Sequence, residues 1–396
     1  MTAREELQQF RAEVVKFIAT ELPEALRKIP TIRSAFDENA DSERQDQSVR
    51  RAKSEWREAL RKKGWLAPAW PINYGGGGLS PAHQFILIDE FIKHNAPRFF
   101  DMGLGMVGPT IISHATKEQK ERMLPPILSG EDEWCELFSE PAAGSDLAGL
   151  RCRAVKDGDE YIVNGQKIWT TYANRANWGL LMARTNPDAP RHRGISMLRV
   201  AMHAPGVSVR RIQNLTDHEF NEVFFEDVRV PVNDLIGEEG RGFYYLMNLL
   251  DTERSAVSQV ATIERTLDSL FQLARSPKLP PLSSAARTEL VNRAIEVEVL
   301  RGLSQGVAEL QFQGKTAAHQ ASVLKLYHTE LAQRIAATGM KMIETHGLLF
   351  RGEKRAPLEG MIAQHYLYAS TLTLQVGTSE IQRNIIATRG LGLPRE

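Results

Sequence analysis

Apolar and polar positions in the first 130 residues recur at helical spacing. One example is an apolar series with charged residues between its members: Phe85, Ile88, Phe91 and Ile92. Such spacing predicts an amphipathic helix with one buried face. Thr116 followed by Gln119 matches a capping box and predicts the start of another helix. Pro125 and Pro126 predict that this helix ends after Leu124, because proline has no amide hydrogen to donate.

Short runs of branched and aromatic residues replace the helical pattern after residue 130. The pairs Asp157-Gly158 and Asn164-Gly165 are strong hairpin-turn signals. The runs typical of strands cover residues 151–156, 160–163, 166–171, 194–200, 207–212 and 222–230. Residues 131–235 are therefore predicted to form a β domain.

Helical periodicity returns after Gly240. The long candidate helices cover roughly residues 241–275, 285–312, 318–347 and 359–388. Their Ala-, Leu- and Glu-rich composition favours a helical bundle. The order along the chain predicts an α+β fold, because helices are segregated from an antiparallel sheet. Its domains are an N-terminal helical domain at 1–130, a middle β domain at 131–235 and a C-terminal helical bundle at 236–396.

The 396-residue chain has a balanced charge, with 49 Lys plus Arg and 49 Asp plus Glu. Balance gives no argument for nucleic acid or a membrane as partner. Cys135 and Cys152 suggest neither a disulfide framework nor a metal site, and reduced thiols are expected. The first residues include acids and lack the apolar core of a signal peptide, and no apolar run is long enough to span a bilayer. We therefore expect a cytoplasmic protein.

Four consecutive glycines at positions 75–78 invite a nucleotide-binding interpretation, since glycine lets backbone amides approach a phosphate closely. A Rossmann or P-loop assignment requires a strand leading into the run, and the P-loop also needs a following Lys-Ser/Thr. Neither occurs here. The glycines therefore predict a turn between helices that binds nothing.

Two motifs in the β region carry the candidate chemistry. Residues 138–146 read Phe-Ser-Glu-Pro-Ala-Ala-Gly-Ser-Asp, and residues 164–171 read Asn-Gly-Gln-Lys-Ile-Trp-Thr-Thr. Together they resemble the flavin-binding signature of the acyl-CoA dehydrogenase family, and the resemblance extends over roughly residues 10–390. It implies that family's fold, a bound FAD and the removal of two hydrogens from an acyl-CoA thioester to give a 2-enoyl-CoA.

The resemblance implies a role for four residues around the flavin ring. Phe138 and Ser139 match positions that contact the pyrimidine edge of the ring. Trp169 matches the aromatic wall, and Thr171 matches the hydroxyl near N5. A threonine at that position can polarise the atom that receives hydride.

Five further residues match positions along the flavin tail. Gly144 and Ser145 match positions near the tail and the CoA moiety, so Ser145 is expected to bind substrate as well. Gly377 and Thr378 match adenosine-side positions. Gly347 remains from a Gln-x-x-Gly-Gly element that the family places near the flavin of a neighbouring subunit.

The general base is not where many members of this family have it. They carry a glutamate immediately before Gly-Thr-Ser, whereas this chain has Val376, which cannot take a proton. Its backbone amide is retained and can still polarise the thioester carbonyl. Other members place the glutamate on an earlier helix, before an arginine. Glu253 matches that base and Arg254 the neighbouring substrate-binding residue, so the resemblance implies that Glu253 takes the α-proton while the β-hydrogen leaves as hydride.

The resemblance also implies partners: an electron-transfer flavoprotein as acceptor, and a homodimer or homotetramer. The Arg-x-x-Phe-Gly element that reaches the flavin of a neighbouring subunit in the family lacks its Phe-Gly here. Two alternatives to a complete dehydrogenase therefore stay open. The first is a non-catalytic or half-site subunit of a mixed assembly, and the second is a flavin enzyme of another reaction type on the same fold. A base on the earlier helix leaves room for branched or bulky acyl groups.

Overall fold

This computed structural model describes residues 3–27, 47–99, 101–216, 218–252, 257–277, 281–313, 315, 317–350 and 352–394. The chain divides into two compact units. The first contains residues 1–53, 79–98 and 253–396, and the second contains residues 54–78 and 99–252. No helix among the described residues is long and apolar enough to cross a membrane.

The described elements confirm the predicted α+β class, with helices before and after a β region. The helices before the sheet are α1 (Ala3–Glu21), α2 (Glu24–Arg27), α3 (Gln47–Lys63), α4 (Pro81–Lys93), α5 (Gly108–His114) and α6 (Lys117–Ser129). The strands are β1 (Trp134–Leu137), β2 (Arg153–Asp157), β3 (Glu160–Thr171), β4 (Trp178–Arg184), β5 (Ile195–Ala201), β6 (Val207–Ile212) and β7 (Phe220–Pro231). The helices after it are α7 (Gly242–Thr252), α8 (Val257–Ala274), α9 (Ser284–Phe312), α10 (Ala318–Ile343), α11 (Met361–Leu372) and α12 (Ser379–Ile385).

The sheet of the second unit follows the order β1-β4-β2-β3-β7-β6, and β5 pairs with β4 beside this path. β3 is paired antiparallel on both sides, with β2 and with β7. Apolar side chains from its strands pack into one buried core that includes Tyr161, Val163, Leu181, Leu198 and Val228. β3 is therefore held on both edges, which makes it a rigid support for side chains on its other face.

The Asn164-Gly165 pair is not the predicted hairpin turn: β3 runs through it without a break. The pairing of β3 with β7 shifts register there, which marks a β-bulge. A Cβ on Gly165, at φ +148°, would lie 2.7 Å from the Cα of Cys152 on the neighbouring segment. Asn164 bonds across the strands to Asp227, donating through Nδ2 at 2.9 Å. The glycine thus serves a close backbone approach, whereas Asp157-Gly158 does form the predicted β2–β3 hairpin.

The predicted end of the helix at Pro125-Pro126 is also wrong. The Thr116 capping box is present, but α6 continues past both prolines to Ser129 and is closed by Gly130 at φ +83°. One buried apolar face runs across the prolines: Met123, Leu124, Ile127 and Leu128. The carbonyl groups that lose their amide donors belong to Glu121 and Arg122, whose side chains are exposed, so water can satisfy them.

The glycine run forms a closed turn, as its sequence context predicts. Gly75 and Gly78 adopt φ +81° and +57°. The amides of Gly76, Gly77 and Gly78 donate to the carbonyl groups of Pro71, Ala67 and Trp70. A Cβ at Gly76 would lie 2.2 Å from the carbonyl oxygen of Trp70. Because these amides are used within the turn, they are not presented to a phosphate.

The helical unit is built around α10. Its core takes residues from α8, α9, α10 and α11, including Leu270, Leu300, Leu324, Leu331 and Ile362. Within the predicted 241–275 segment the structure describes α7 and α8, and residues 253–256 between them lie outside the described residues. One predicted helix is divided. The 359–388 segment becomes α11 and α12, because Val376 and Gly377 between them adopt positive φ.

Candidate active site

The first sequence motif forms a loop after β1. Glu140 and Ala143 exchange two backbone hydrogen bonds of 3.0 Å and close a tight turn. Gly144 and Ser145 follow on the exposed side of this turn. A Cβ on Gly144 would meet nothing within 4 Å, so the surface beside it is open.

A buried ion pair fixes this loop to β3. Lys167 Nζ lies 2.8 Å from Glu140 Oε1, and the two side chains are 0% and 7% exposed. Lys167 also donates to the carbonyl oxygen of Phe138 at 3.0 Å. Glu140 accepts further hydrogen bonds from the amides of Arg151 and Cys152, at 2.6 and 2.8 Å. Burial lowers the pKa of Lys167, and the neighbouring Cys152 and Glu140 oppose that shift.

The second motif presents its tryptophan to solvent beside this loop. The amide of Ile168 donates to the carbonyl oxygen of Ser139 at 2.9 Å, which joins the two motifs directly. The β3–β7 register shifts again between Lys167 and Thr170, and Trp169 there adopts φ +61°. Its side chain is 56% exposed, although a large apolar ring is usually buried. Thr171 follows at a half-buried position.

Aromatic side chains support Trp169 from the neighbouring strand. The ring of Phe220 meets Trp169 edge to face, with centroids 6.0 Å apart. His218 packs against Phe220 with centroids 4.6 Å apart and against Tyr172 at 5.8 Å. Burial lowers the pKa of His218 to about 4. The group is therefore neutral at physiological pH and acts as a packing ring rather than a charge.

An arginine is paired with Asp146, the residue that follows Ser145. Arg191 Nη2 lies 2.5 Å from Asp146 Oδ2, and both side chains are exposed. Arg184 holds the following turn, donating to the carbonyl oxygens of Ala148 at 2.9 Å and Leu150 at 3.2 Å. The exposed end of this loop thus carries an ion pair between Arg191 and Asp146.

In the helical unit, Gly377 and Thr378 belong to one loop before α12. Val376 and Gly377 adopt φ +49° and +82°, and Thr378 caps α12 by accepting from the amide of Ile381. Lys325 Nζ on α10 donates to the carbonyl oxygen of Gly377 at 2.7 Å, and Gln382 Nε2 donates to the same oxygen at 3.1 Å. Burial lowers the pKa of Lys325 to about 8, and the charge of Glu380 opposes the shift.

Gly347 lies apart from this loop. It belongs to a 3-10 turn, Glu344–Leu348, that follows the last residue of α10. Lys325, which contacts Gly377, is near the opposite end of α10, 18 residues before Ile343. At 1.5 Å per residue that separation is about 27 Å along the helix. One chain does not bring Gly347 and Gly377 together, whereas Gly377 and Thr378 are adjacent.

Glu253 and Arg254, the expected base and its neighbour, lie outside the described residues. Val376 stands where many members of the family carry the glutamate base, and it is 60% exposed. Its left-handed backbone is unusual for a β-branched residue and is retained here by the contacts of Lys325 and Gln382.

Sequence reasoning did not assign roles to Glu140, Lys167, Lys325 or Gln382. Glu140 lies in the first motif and Lys167 in the second. Their opposite charges were the one signal in the sequence that could have predicted an ion pair between the two motifs. For Lys325 and Gln382 there was none, because their distance from the loop depends on how α10 and α12 pack.

The structure thus combines helices, a β region with the exposed Trp169 ring, and further helices after it. Family models for the acyl-CoA dehydrogenase N-terminal, middle and C-terminal domains match residues 4–131, 135–228 and 240–391. The chain belongs to the acyl-CoA dehydrogenase family, whose members are flavoproteins that oxidise acyl-CoA thioesters.

Named relatives agree with this assignment. The chain is 34% identical over 405 residues to the acyl-CoA dehydrogenase IpdE1 of Mycolicibacterium smegmatis, covering 99% of both chains. It is 36% identical over 340 residues to the acyl-CoA dehydrogenase FadE34 of Mycobacterium tuberculosis, spanning 85% of this chain but only 46% of that longer protein.

Two solved structures share the whole fold. The Tcur3481-Tcur3483 steroid ACAD superposes with a TM-score of 0.84 at 30% identity, covering 99% of this chain and 98% of that one. The ChsE4-ChsE5 complex from Mycobacterium tuberculosis superposes with a TM-score of 0.81 at 33% identity, covering 100% and 99%.

Proposed function

We propose that this chain is an FAD-dependent dehydrogenase that forms a 2-enoyl-CoA from a bulky, ring-bearing acyl-CoA. The main support is the joined pair of motifs, in which the Ser139–Ile168 hydrogen bond holds the loop beside the exposed Trp169. An exposed indole face and the nearby Ser139 and Thr171 hydroxyl groups suit a flat ring with polar edges. When bound, the flavin supplies the acceptor for the β-hydride.

The proposed roles of the chain's own residues follow from these positions. Phe138, Ser139, Trp169 and Thr171 hold and orient the ring. Gly144, Ser145, Gly377 and Thr378 contact the tail, and Gly347 performs that task toward the flavin of a second subunit. Ser145 and Arg254 bind the CoA thioester, and the exposed Arg191, which is paired with Asp146 next to Ser145, suits its phosphate groups by exchanging that carboxylate for a phosphate.

Glu253 is the proposed general base. Val376 has no ionisable group, so its side chain cannot take the α-proton, although its amide can donate to the thioester oxygen as negative charge develops there. Glu253 comes directly after Thr252, the last residue of α7. A carboxylate that receives a proton in the transition state contributes a rate factor of about 10²–10⁴.

The Glu253→Gln variant tests this assignment. It should retain its flavin spectrum and lose at least about 100-fold in turnover, because the amide keeps the shape of the side chain and cannot accept the proton. Asp251→Asn, two positions earlier, is the matched control and should keep its turnover. Undiminished turnover in Glu253→Gln would mean that another group takes the proton.

The ring-bearing substrate class is supported by the neighbour described as a steroid ACAD and by the room that a base on the earlier helix leaves. Purified protein would be titrated anaerobically with straight, branched and fused-ring acyl-CoA thioesters while the flavin absorbance is followed. Bleaching by the fused-ring thioester at the lowest concentration is expected. Preferential bleaching by a straight-chain thioester would contradict the proposed class but leave the dehydrogenase proposal intact.

A second candidate is a half-site or non-catalytic subunit of a mixed assembly. It is favoured by two structural neighbours whose names each join two proteins, and by the incomplete motif for reaching a neighbouring subunit's flavin. Flavin per chain distinguishes the candidates: about one per chain supports the complete enzyme, and about half or none supports the subunit.

An electron-transfer flavoprotein is the proposed electron acceptor. Its reduction by the purified protein in the presence of substrate tests this proposal. Peroxide formed under air would instead indicate an oxidase.

A further inference from the structure

The chain between α11 and α12 forms a loop that is closed at its base. The amide of Ser379 donates to the carbonyl oxygen of Thr373 at 2.9 Å. Gln333 on α10 donates through Nε2 to the hydroxyl oxygen of Thr373 at 3.1 Å, which ties this base to the helix. We call residues 373–379 the Val376 loop, because Val376 lies at its middle and is 60% exposed. The base of the loop is therefore fixed independently of its tip.

Two side chains hold the tip of the Val376 loop by its carbonyl groups. Lys325 Nζ on α10 lies 2.7 Å from the carbonyl oxygen of Gly377. Gln382 Nε2 on α12 donates to the same oxygen at 3.1 Å and to that of Val376 at 3.3 Å. A Cβ on Gly377 would lie 2.7 Å from Gln382 Nε2, so a larger residue would displace this contact. Both carbonyl groups of the tip thus point toward Lys325 and Gln382.

The amide groups of the tip point the other way. A trans peptide group is planar, so its N–H and C=O groups are directed oppositely. Holding the carbonyl oxygens of Val376 and Gly377 therefore orients the two amides that follow them, and it constrains the backbone at Val376, where φ is +49°. In the described part of the chain, no backbone carbonyl group accepts from the amide of Val376 or of Gly377. These two donors are left for a ligand.

We propose that the ammonium group of Lys325 is a positioning group: by holding Gly377, it keeps Val376 in the left-handed conformation from which its amide donates to the thioester carbonyl. That conformation is an outlier for a β-branched residue, because its Cβ crowds the following carbonyl oxygen. It persists only where surrounding contacts impose it. The inference rests on the proposed function, which gives the Val376 amide this role. Lys325 acts through the loop and is not itself the donor to the substrate.

The charge of Lys325 makes its contact the stronger of the two. A hydrogen bond from an ionised donor is shorter than one between neutral groups and about twice as strong. The 2.7 Å separation at Lys325 compares with 3.1 Å at Gln382. Gln382 alone would hold the tip through one neutral amide group shared between two carbonyl oxygens. Loss of Lys325 should therefore loosen the tip while Gln382 still keeps the loop against α12.

The contact should depend on pH in the range where Lys325 titrates. Burial lowers the pKa of Lys325 to about 8, and the carboxylate of Glu380 on α12 opposes that shift. Arg383, also on α12, acts on the same carboxylate. His328, one turn further along α10, is neutral at physiological pH, because burial lowers its pKa to about 4. The ammonium contact is therefore at full strength below the pKa of Lys325 and weakens as pH rises through about 8.

The carbonyl stretch of a bound thioester tests the proposal without turnover. The probe is the coenzyme A thioester of a conjugated cyclohexenecarboxylic acid, labelled with carbon-13 at the thioester carbonyl. It already carries the double bond, so the flavin does not oxidise it. A hydrogen bond to the thioester oxygen lowers the stretching frequency, and infrared difference spectra of the purified full-length holoprotein record the shift from the free probe.

Three variants are compared with the wild type. Lys325→Met should return the bound band by at least about half of its shift toward the free value, because the charged donor is lost. Lys325→Arg should keep most of the shift, since the guanidinium stays charged. Lys341→Met is the matched control, because this second α10 lysine is paired with Glu289 on α9, and it should leave the band unchanged.

Rapid-reaction kinetics give a second measurement. With the saturated cyclohexanecarboxylic thioester and no oxygen, the limiting rate of flavin bleaching in Lys325→Met should fall at least about 10-fold, because stabilisation by the amide grows as charge develops on the oxygen. The Kd of the thioester should change less than about 3-fold, since the amide contributes less in the ground state. The wild-type rate should fall as pH rises through about 8, and the rate of Lys325→Arg should not.

The outcomes separate this inference from the proposed function. A band shift that is lost in Lys325→Met and kept in Lys325→Arg supports the inference. An equal shift in wild type and Lys325→Met overturns it and leaves the proposed function intact. No shift in the wild type contradicts the proposed function, and the inference falls with it. If Lys325→Met does not fold, the wild-type band decides: it should move toward the free value as pH rises through about 8, and a constant band overturns the inference.

Discussion

Replacing Lys167 with methionine removes one partner of the buried ion pair that holds the flavin-side loop. The Glu140 carboxylate would remain buried, supported only by the amides of Arg151 and Cys152. Removing one member of a buried pair typically costs about 3–5 kcal/mol, because the remaining charge is left without compensation. A domain has only about 5–15 kcal/mol in total, so the loss is a large fraction of its stability.

The control for Lys167→Met is another ion pair on the same sheet. Arg229 on β7 bonds to Glu160 on β3 at 2.8 Å, and both side chains are in contact with solvent. Arg229→Met removes the same kind of charge from a pair that water screens, so its effect on stability should be slight. Both variants would be unfolded in urea and followed by tryptophan fluorescence, with and without added FAD.

The expected result is a lower urea midpoint for Lys167→Met than for Arg229→Met, together with a lower flavin content per chain. The flavin loss follows because Lys167 also holds the carbonyl oxygen of Phe138. If Lys167→Met unfolds at the same urea concentration as Arg229→Met, the buried pair does not stabilise the unit and the reasoning is refuted.

Three further variants address single features of the structure. Val376→Asn should stabilise the chain by about 0.5–1 kcal/mol in urea unfolding, because asparagine tolerates positive φ; Val155→Asn, on an exposed strand, should give no gain. His218→Gln should reduce the acid sensitivity of the fold. His218 has a pKa of about 4 in the folded chain against an ordinary 6.5, so the unfolded chain binds more protons between those values and this histidine lowers stability by up to about 3 kcal/mol as pH drops through them. His328, whose pKa burial also lowers to about 4, should retain its own part of the sensitivity. An unchanged pH profile in the His218→Gln variant would contradict this. Trp169→Ala should lose flavin after desalting yet keep its thermal midpoint without FAD, since the ring is 56% exposed.

Sequence patterns predicted the elements whose determinants are local. The α6 capping box and the Asp157-Gly158 turn both depend on neighbouring residues and both are present. Asn164-Gly165 has the same local signal but is a bulge, because its geometry is set by contact with Cys152 and by pairing with β7. A turn motif fixes a hairpin only where the strands on either side are free to pair with each other.

Strand β4 is an element that the sequence pattern did not predict at all. It was not predicted, because its central residues are buried without interruption and so carry no alternation of polar and apolar positions. An apolar run of that length is equally consistent with a buried helix or strand. The candidate site follows the same rule: its two motifs were readable in sequence, whereas the contact of Lys325 with Gly377 depends on the packing of distant segments.

The Glu140 turn also has a consequence for motion. The amides of Arg151 and Cys152 both donate to one carboxylate, and the amide of Ile168 donates to the carbonyl oxygen of Ser139 next to it. Opening the turn exposes all three amides to solvent together, although they belong to different segments. Hydrogen–deuterium exchange should therefore give the same free energy of opening for all three amides, as one cooperative unit. A flavin bound at this loop would slow the exchange of all three by the same factor, so that the affinity of the cofactor could be measured from any one of these amides.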